Sequence, residues 1–208
     1  MSVPYRTGVI HGRFQILHND HMKYLMAGKE RCSHLVVGIT NPDPRLTGQD
    51  STNPTRSLES ANPLTYYERY SLLVEALLRR GLAYQEFSVV PFPISAPELI
   101  MHYVPMDAVF FLTIYDNWGR RKLEVLSSLG VRTEIMWERP VEQKGISASD
   151  VRRRMVEGKE WESMVPVGTV ELLKIWKVPE RIRRIAERME CRELDQECQD
   201  KTGKAVPS

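Results

Sequence analysis

Apolar positions along the chain come in two kinds of run that take turns. Short, unbroken, β-branched stretches occur at 5–12 (around Val9-Ile10), 35–39, 87–90, 107–112 and 131–137. Between them, at 20–31, 65–80, 97–103 and 118–129, apolar residues return at the spacing of one helix face. Strands that alternate with helices, and that read as continuous apolar runs, predict a parallel sheet covered on both faces. Three more helical patterns, at 147–157, 167–176 and 180–190, follow the fifth strand. The expected fold class is α/β, with five parallel strands, helices on both faces and C-terminal helices.

Local signals sharpen the boundaries. Thr65 stands three residues before Glu68, the spacing at which a hydroxyl and a carboxyl cap a helix start reciprocally. Gly81 and Gly130 fall just past two predicted helix ends, where the chain often needs a positive φ. Residues 41–63 hold four prolines among Thr, Ser, Asn and Gly, which predicts a long loop of the functional or mobile kind. After Cys191 the apolar periodicity stops. One domain is therefore expected over 1–190 and a polar, solvated tail over 191–208.

Composition narrows the partners. With 42% hydrophobic and 27% charged residues in 208, the chain has the balance of an ordinary globular domain. Twenty-nine Lys and Arg against 27 Asp and Glu leave +2, too little for a general nucleic-acid coat, so anion binding must come from local clusters. The three cysteines show no metal-ligand spacing and suit a reducing compartment. No apolar run approaches the roughly 18 residues of a membrane span. The expectation is a cytoplasmic protein with neither nucleic acid nor membrane as partner.

Two clusters carry chemistry. Gly12-Arg13-Phe14-Gln15 and His18-Asn19-Asp20-His21 follow the first strand and lead into a helix. Sites of open parallel sheets lie beyond the strands' C-terminal ends, and a helix N-terminus attracts phosphate. His18 and His21, three apart, share one side of the first turn, and Arg13 adds a permanent cation. By itself such a histidine pair is more often incidental, and a zinc site would lack a third ligand. The second cluster, Ile146-Ser147-Ala148-Ser149-Asp150-Val151-Arg152, opens a helix after the fifth strand with hydroxyl caps and a first-turn arginine. Alone it reads as a capped helix with a basic face. Neither a P-loop nor a Gly-x-Gly-x-x-Gly pattern is present.

Together the two clusters resemble the signature of the HxGH nucleotidyltransferase superfamily, and most closely the archaeal-type nicotinamide-nucleotide adenylyltransferases. Asn62-Pro63-Leu64-Thr65 with Glu68-Arg69, Val90-Pro91-Phe92-Pro93-Ile94, Gly158-Lys159-Glu160-Trp161 and Val165-Pro166 extend the likeness over about residues 7–185. The resemblance implies a Rossmann-like sheet and transfer of a nucleotidyl group from a nucleoside triphosphate, with Mg²⁺, to a phosphate-bearing acceptor. The products would be pyrophosphate and, for ATP and nicotinamide mononucleotide, NAD. His18 and His21 would contact the triphosphate and its developing charge. Arg13, Arg152, Ser147 and Ser149 would hold the leaving phosphates, with Gly12 allowing close backbone approach and Phe14 in the same nucleotide-binding segment. Arg69, Asn117 and Trp118 would serve the acceptor, and loop 41–63, with Arg45 and Arg56, would be a flap. No residue is assigned as a metal ligand, and a homo-oligomer is implied.

Departures from the pattern gather on the acceptor side. No tryptophan follows the Pro93-Ile94 turn across 95–104, and Leu112-Thr113-Ile114-Tyr115-Asp116-Asn117 replaces a Ser-Gly-Asn segment. Ile16 replaces the proline before the first histidine, and Asp20 stands where the motif has glycine. Asp20 could repel bound phosphate, face outward in favour of the helix dipole, or help hold a metal. Two alternatives follow: an adenylyl- or cytidylyltransferase for another phosphorylated small molecule, or a nucleotide-binding regulator weakened by Asp20. The arginines at 181, 183, 184 and 188, interspersed with glutamates, read as a solvated helix face or an oligomer contact.

Overall fold

The structure, a computed structural model, describes residues 3–43, 58–143 and 145–202. Five strands form one sheet: β1 (Tyr5–Gly12), β2 (Cys32–Thr40), β3 (Phe87–Phe92), β4 (Val109–Ile114) and β5 (Arg132–Glu138). Their order is β3-β2-β1-β4-β5, every neighbouring pair parallel. The chain winds outward from β1 in one direction and then from β4 in the other. The winding therefore reverses between β1 and β4, where strand ends splay and leave room for ligands.

The helices are α1 (Asn19–Lys29), α2 (Tyr66–Arg79), α3 (Asn117–Ser128), α4 (Ala148–Val156), α5 (Val167–Ile175) and α6 (Val178–Thr202). Alternate β1 side chains separate two cores. Ile10 joins Leu25 of α1, Leu72 and Leu73 of α2, Val151 of α4 and Ile182 of α6 on one face. Val9 joins Phe92, Ile100, Phe110 and Leu126 of α3 on the other. The expected Rossmann-like α/β fold is observed. Thr65 and Glu68 cap α2 reciprocally, and Gly81 and Gly130 take φ of +87° and +70°. The last helix continues past the expected boundary at 190 and ends at Thr202. Loop 41–63 lies largely at 44–57, so Arg45 and Arg56 are outside the described residues. No described helix is long and apolar enough to cross a membrane.

Candidate active site

Beyond β1 the chain makes a tight approach to α1. Phe14 takes φ +52°, and its ring folds back over Gly12, where a Cβ would lie 2.9 Å from Phe14 Cζ. The absent side chain at 12 thus makes room for a ring of the protein itself, a different reason from the close approach of phosphate expected of Gly12. The buried Phe14 ring in turn meets the His21 ring edge-on, centroids 5.0 Å apart. His18 is the N-cap of α1: its Nδ1 accepts from the His21 backbone N–H, and His21 Nδ1 accepts from the His18 N–H, both at 3.4 Å. The rings stack 3.6 Å apart, 24° from parallel. With both Nδ1 atoms accepting, Nε2 is the protonated, donating nitrogen of each ring. The spacing that suggested a shared side of the turn therefore yields two stacked rings held by the backbone.

After β5, Ser147 caps α4. Its hydroxyl accepts from Asp150 N–H at 3.2 Å and donates to Asp150 Oδ2 at 2.6 Å. That hydroxyl bond, against the cost of burial, holds the Asp150 carboxyl below its usual range. Arg152 donates to the Gln15 carbonyl and, at 3.2 Å, to Ser149 Oγ, while burial lowers the pKa of its guanidinium. Ser149 and Arg152 are thus paired with each other at the start of α4.

Asp20 joins the two clusters. Its Oδ2 accepts from the Ile146 backbone N–H at 2.6 Å and its Oδ1 pairs with Lys23 Nζ at 2.6 Å. Burial would raise its pKa, but Lys23 and the Ile146 N–H outweigh it and hold the carboxyl below its usual range. Neither the outward-facing nor the metal-holding reading describes this arrangement. Both oxygens already have partners in the protein, and among the described residues no group of three or more His, Cys, Asp or Glu could hold a metal. A protein-held Mg²⁺ does not fit this donor set. Because Mg²⁺ is commonly bound through substrate phosphates, it would travel with the triphosphate.

The acceptor-side assignments fare differently. Arg69 is 3% exposed, and its guanidinium donates to the carbonyls of Arg13 (3.1 Å), Thr40 (2.7 Å), Asn41 (2.8 Å) and Thr65 (3.3 Å). Burial pushes its pKa down to about 10. It clamps the C-terminal ends of β1 and β2, so any part it has on the acceptor side is one of support. Gln15 does similar work, exchanging two bonds of 2.9 Å with the main chain of Leu64. Asn117, exposed, and Trp118, half-buried, open α3 beyond β4. Asn117 lines a cleft of about 310 Å³ with Tyr115, Arg120, Glu138 and Arg139. Trp137 at the end of β5 donates to Tyr115 Oη at 2.5 Å and packs edge-on against Tyr24. Its place in the fifth strand gave no sign of that role. His11 is 6% exposed, stacks on Phe92 at 4.5 Å, and has neither ring nitrogen hydrogen-bonded.

Other expected histidines and arginines are accounted for. His34 is satisfied by the Gln85 carbonyl (2.9 Å) and Ser88 Oγ (2.8 Å). The basic helix face proves to be a set of ion pairs within the chain: Arg181 holds Glu68 through two bonds of 2.7 and 2.8 Å, and Arg188 reaches Glu59 at 2.8 Å.

No family model matches the chain. It is 50% identical over 177 residues to a phosphonoformate cytidylyltransferase of Streptomyces viridochromogenes, covering 85% of this chain and 95% of that protein. It is 28% identical over 198 residues to a nicotinamide-nucleotide adenylyltransferase of Thermococcus kodakarensis, covering 91% and 94%. Among solved structures, a bifunctional NMN adenylyltransferase/ADP-ribose pyrophosphatase of Francisella tularensis, complexed with AMP and a manganese ion, shares the fold. Its TM-score is 0.67 at 12% identity, over 93% of this chain but only 56% of that longer one. A structure described as a putative nicotinate-nucleotide adenylyltransferase of Vibrio parahaemolyticus gives a TM-score of 0.55 at 14% identity, covering 84% and 95%.

Proposed function

The chain belongs to the nucleotidyltransferase family that includes phosphonoformate cytidylyltransferase and the archaeal nicotinamide-nucleotide adenylyltransferases, and from that premise we propose that it transfers a cytidylyl group from CTP to a small phosphonate or phosphate acceptor. An anionic acceptor oxygen attacks the α-phosphorus in line. One P–O bond forms, the bond to the bridging oxygen breaks, and pyrophosphate leaves with the electron pair. The acceptor oxygen is already ionised, so no general base is needed, and catalysis reduces to positioning and charge stabilisation. His18 and His21 donate through Nε2 to the triphosphate as charge develops. Arg13, Arg152, Ser149 and the N-terminus of α4 hold the departing phosphates, and triphosphate draws Arg152 from the Gln15 carbonyl.

The transfer chemistry rests on one observation above all. Two clusters more than a hundred residues apart meet at one rim, Asp20 on Ile146 and Arg152 on Gln15. CTP is supported by the far higher identity to the cytidylyltransferase than to the adenylyltransferases. A rebuilt acceptor side, with no tryptophan across 95–104, supports an acceptor smaller than a nicotinamide nucleotide. Adenylyl transfer from ATP to nicotinamide mononucleotide is the second reading, supported by similarity to the archaeal enzymes along nearly the whole chain.

Pyrophosphate release separates the two. CTP and ATP are each offered with Mg²⁺ and with phosphonoformate, nicotinamide mononucleotide or simple phosphomonoesters. The proposal expects release with CTP and a small phosphonate or phosphate, and little with nicotinamide mononucleotide. NAD formed from ATP at a comparable or higher rate would replace it with the second reading. Triphosphate binding without release on any acceptor would leave a regulator.

A further inference from the structure

Gly145 immediately precedes the residue whose N–H Asp20 accepts. What excludes a side chain there is Asp20: a Cβ at 145 would lie 2.1 Å from Asp20 Oδ2 and 3.2 Å from its Cγ. The same Oδ2 accepts the Ile146 N–H, so the carboxylate cannot swing aside without losing that bond. Lys23, on the next turn of α1, holds the other oxygen. Asp20 is therefore wedged between the first turn of α1 and the segment leading into α4.

We infer that Asp20 and Gly145 are a matched pair that sets the spacing of the triphosphate cradle, with Asp20 as its positioning residue. This rests on the reading of the two helix starts as that cradle. The Asp20 bond to Ile146 brings the start of α1 next to the segment that leads into α4, and two like partial charges brought together repel. The Asp20 side chain holds the two starts together against that repulsion through its bond to the Ile146 N–H. Its two partners also lessen its own repulsion toward incoming phosphate. The bond reaches the residue just before Ser147, so displacing it shifts the caps of α4, and with them Ser149 and Arg152, relative to His18 and His21. The acceptor side is not touched by this contact.

A double-mutant cycle read by binding tests the pair without an acceptor. Calorimetry would measure CTP and inorganic pyrophosphate on the full chain and on Asp20→Gly, Asp20→Asn, Gly145→Ala and the Asp20→Gly/Gly145→Ala double variant. Asp20→Gly should weaken CTP about tenfold, close to 1.4 kcal/mol. Asp20→Asn keeps an oxygen for the Ile146 N–H and should stay within about threefold of wild type. Gly145→Ala should cost as much as Asp20→Gly, and about twofold or less once Asp20 is gone. Equal costs of Gly145→Ala in both backgrounds, or unchanged CTP binding in Asp20→Gly, would overturn the pair. Thermal melts on each variant separate loss of folding from loss of spacing: a variant that is fully folded at the titration temperature and still binds CTP more weakly has lost spacing. Wild type that binds neither probe would instead overturn the cradle, and the pair with it.

Discussion

The starts of α1 and α4 are tied to each other, whereas the region beyond β3 and β4 holds polar groups with open ends. On the first side nearly every motif residue has a partner in the other cluster or in its own turn: His18 with His21, Ser147 with Asp150, Asp20 with Ile146, Arg152 with Gln15. On the second, Asn117 is exposed beside a cleft; His11, within β1 and stacked on Phe92 of β3, is buried with both nitrogens unpartnered. Groups that must meet the same triphosphate in every turnover are best fixed beforehand, since preorganised donors need no rearrangement as charge develops. Groups that recognise an acceptor are completed by the acceptor. On the proposed reading, the half that would hold the triphosphate is fixed in the free protein and the half that would meet the acceptor is not.

The sharpest way to break this contrast is to remove the fixed donors. His18→Ala and His21→Ala should each lower kcat about a hundredfold or more, while acceptor KM moves little. Losses under about threefold at both positions would mean that the stacked pair is a helix cap and nothing else. Next in size is the support under that half. Arg181 meets Glu68 through two short bonds at the start of α2, close to the Leu64 segment that Gln15 clamps. Arg181→Met should cost about 1.5–3 kcal/mol in denaturant unfolding. Burial would raise the Glu68 pKa, but Arg181 and Thr65 reverse this and hold it below its ordinary 4.5. The stability this gives is present above that value and fades as pH falls through the lower folded one, so the gap between wild type and variant should narrow in acid.

What could be read in the sequence was what acts locally. Thr65 with Glu68, Ser147 as a cap, Gly81 and Gly130 in left-handed turns, and the paired histidines all depend on neighbours three or four residues away. The apolar pattern likewise gave the strands, because burial on both faces leaves its mark residue by residue. The contacts of Arg69 and Asp20 have no local signal because their partners are distant in the chain. Four main-chain carbonyls claim Arg69, and Ile146 lies 126 residues from Asp20. Nothing in the spacing tells that Phe14 folds over Gly12. Trp137 lay inside a strand pattern, so its link to Tyr115 across β4 and β5 had no signal at all. Helix α6 carried on beyond 190 although its apolar stripe ended there, since a helix already begun can propagate at little cost.

The smallest expected effect bears on the open half. Gly38 lets the Phe92 ring lie against β2, where a Cβ would come within 2.6 Å of it, and His11 stacks on that ring almost parallel, at 5°. Burial, helped by the charge of Lys122, lowers the His11 pKa well below its ordinary 6.5, so the folded imidazole is neutral. An apolar side chain of similar size should fit the same place without stranding two polar nitrogens. His11→Leu should therefore raise stability by about 1 kcal/mol at neutral pH. The sign of its pH dependence follows from linkage. Below about pH 6.5 the unfolded chain takes up a proton that the folded one refuses, so wild type loses up to about 1.4 kcal/mol per pH unit that His11→Leu keeps. Unfolding curves at pH 7.5 and 5.5 check both statements. If the leucine variant is the less stable at both, His11 is bonded through ordered water within the free protein, and the acceptor half is as fully preorganised as the half that holds the phosphates.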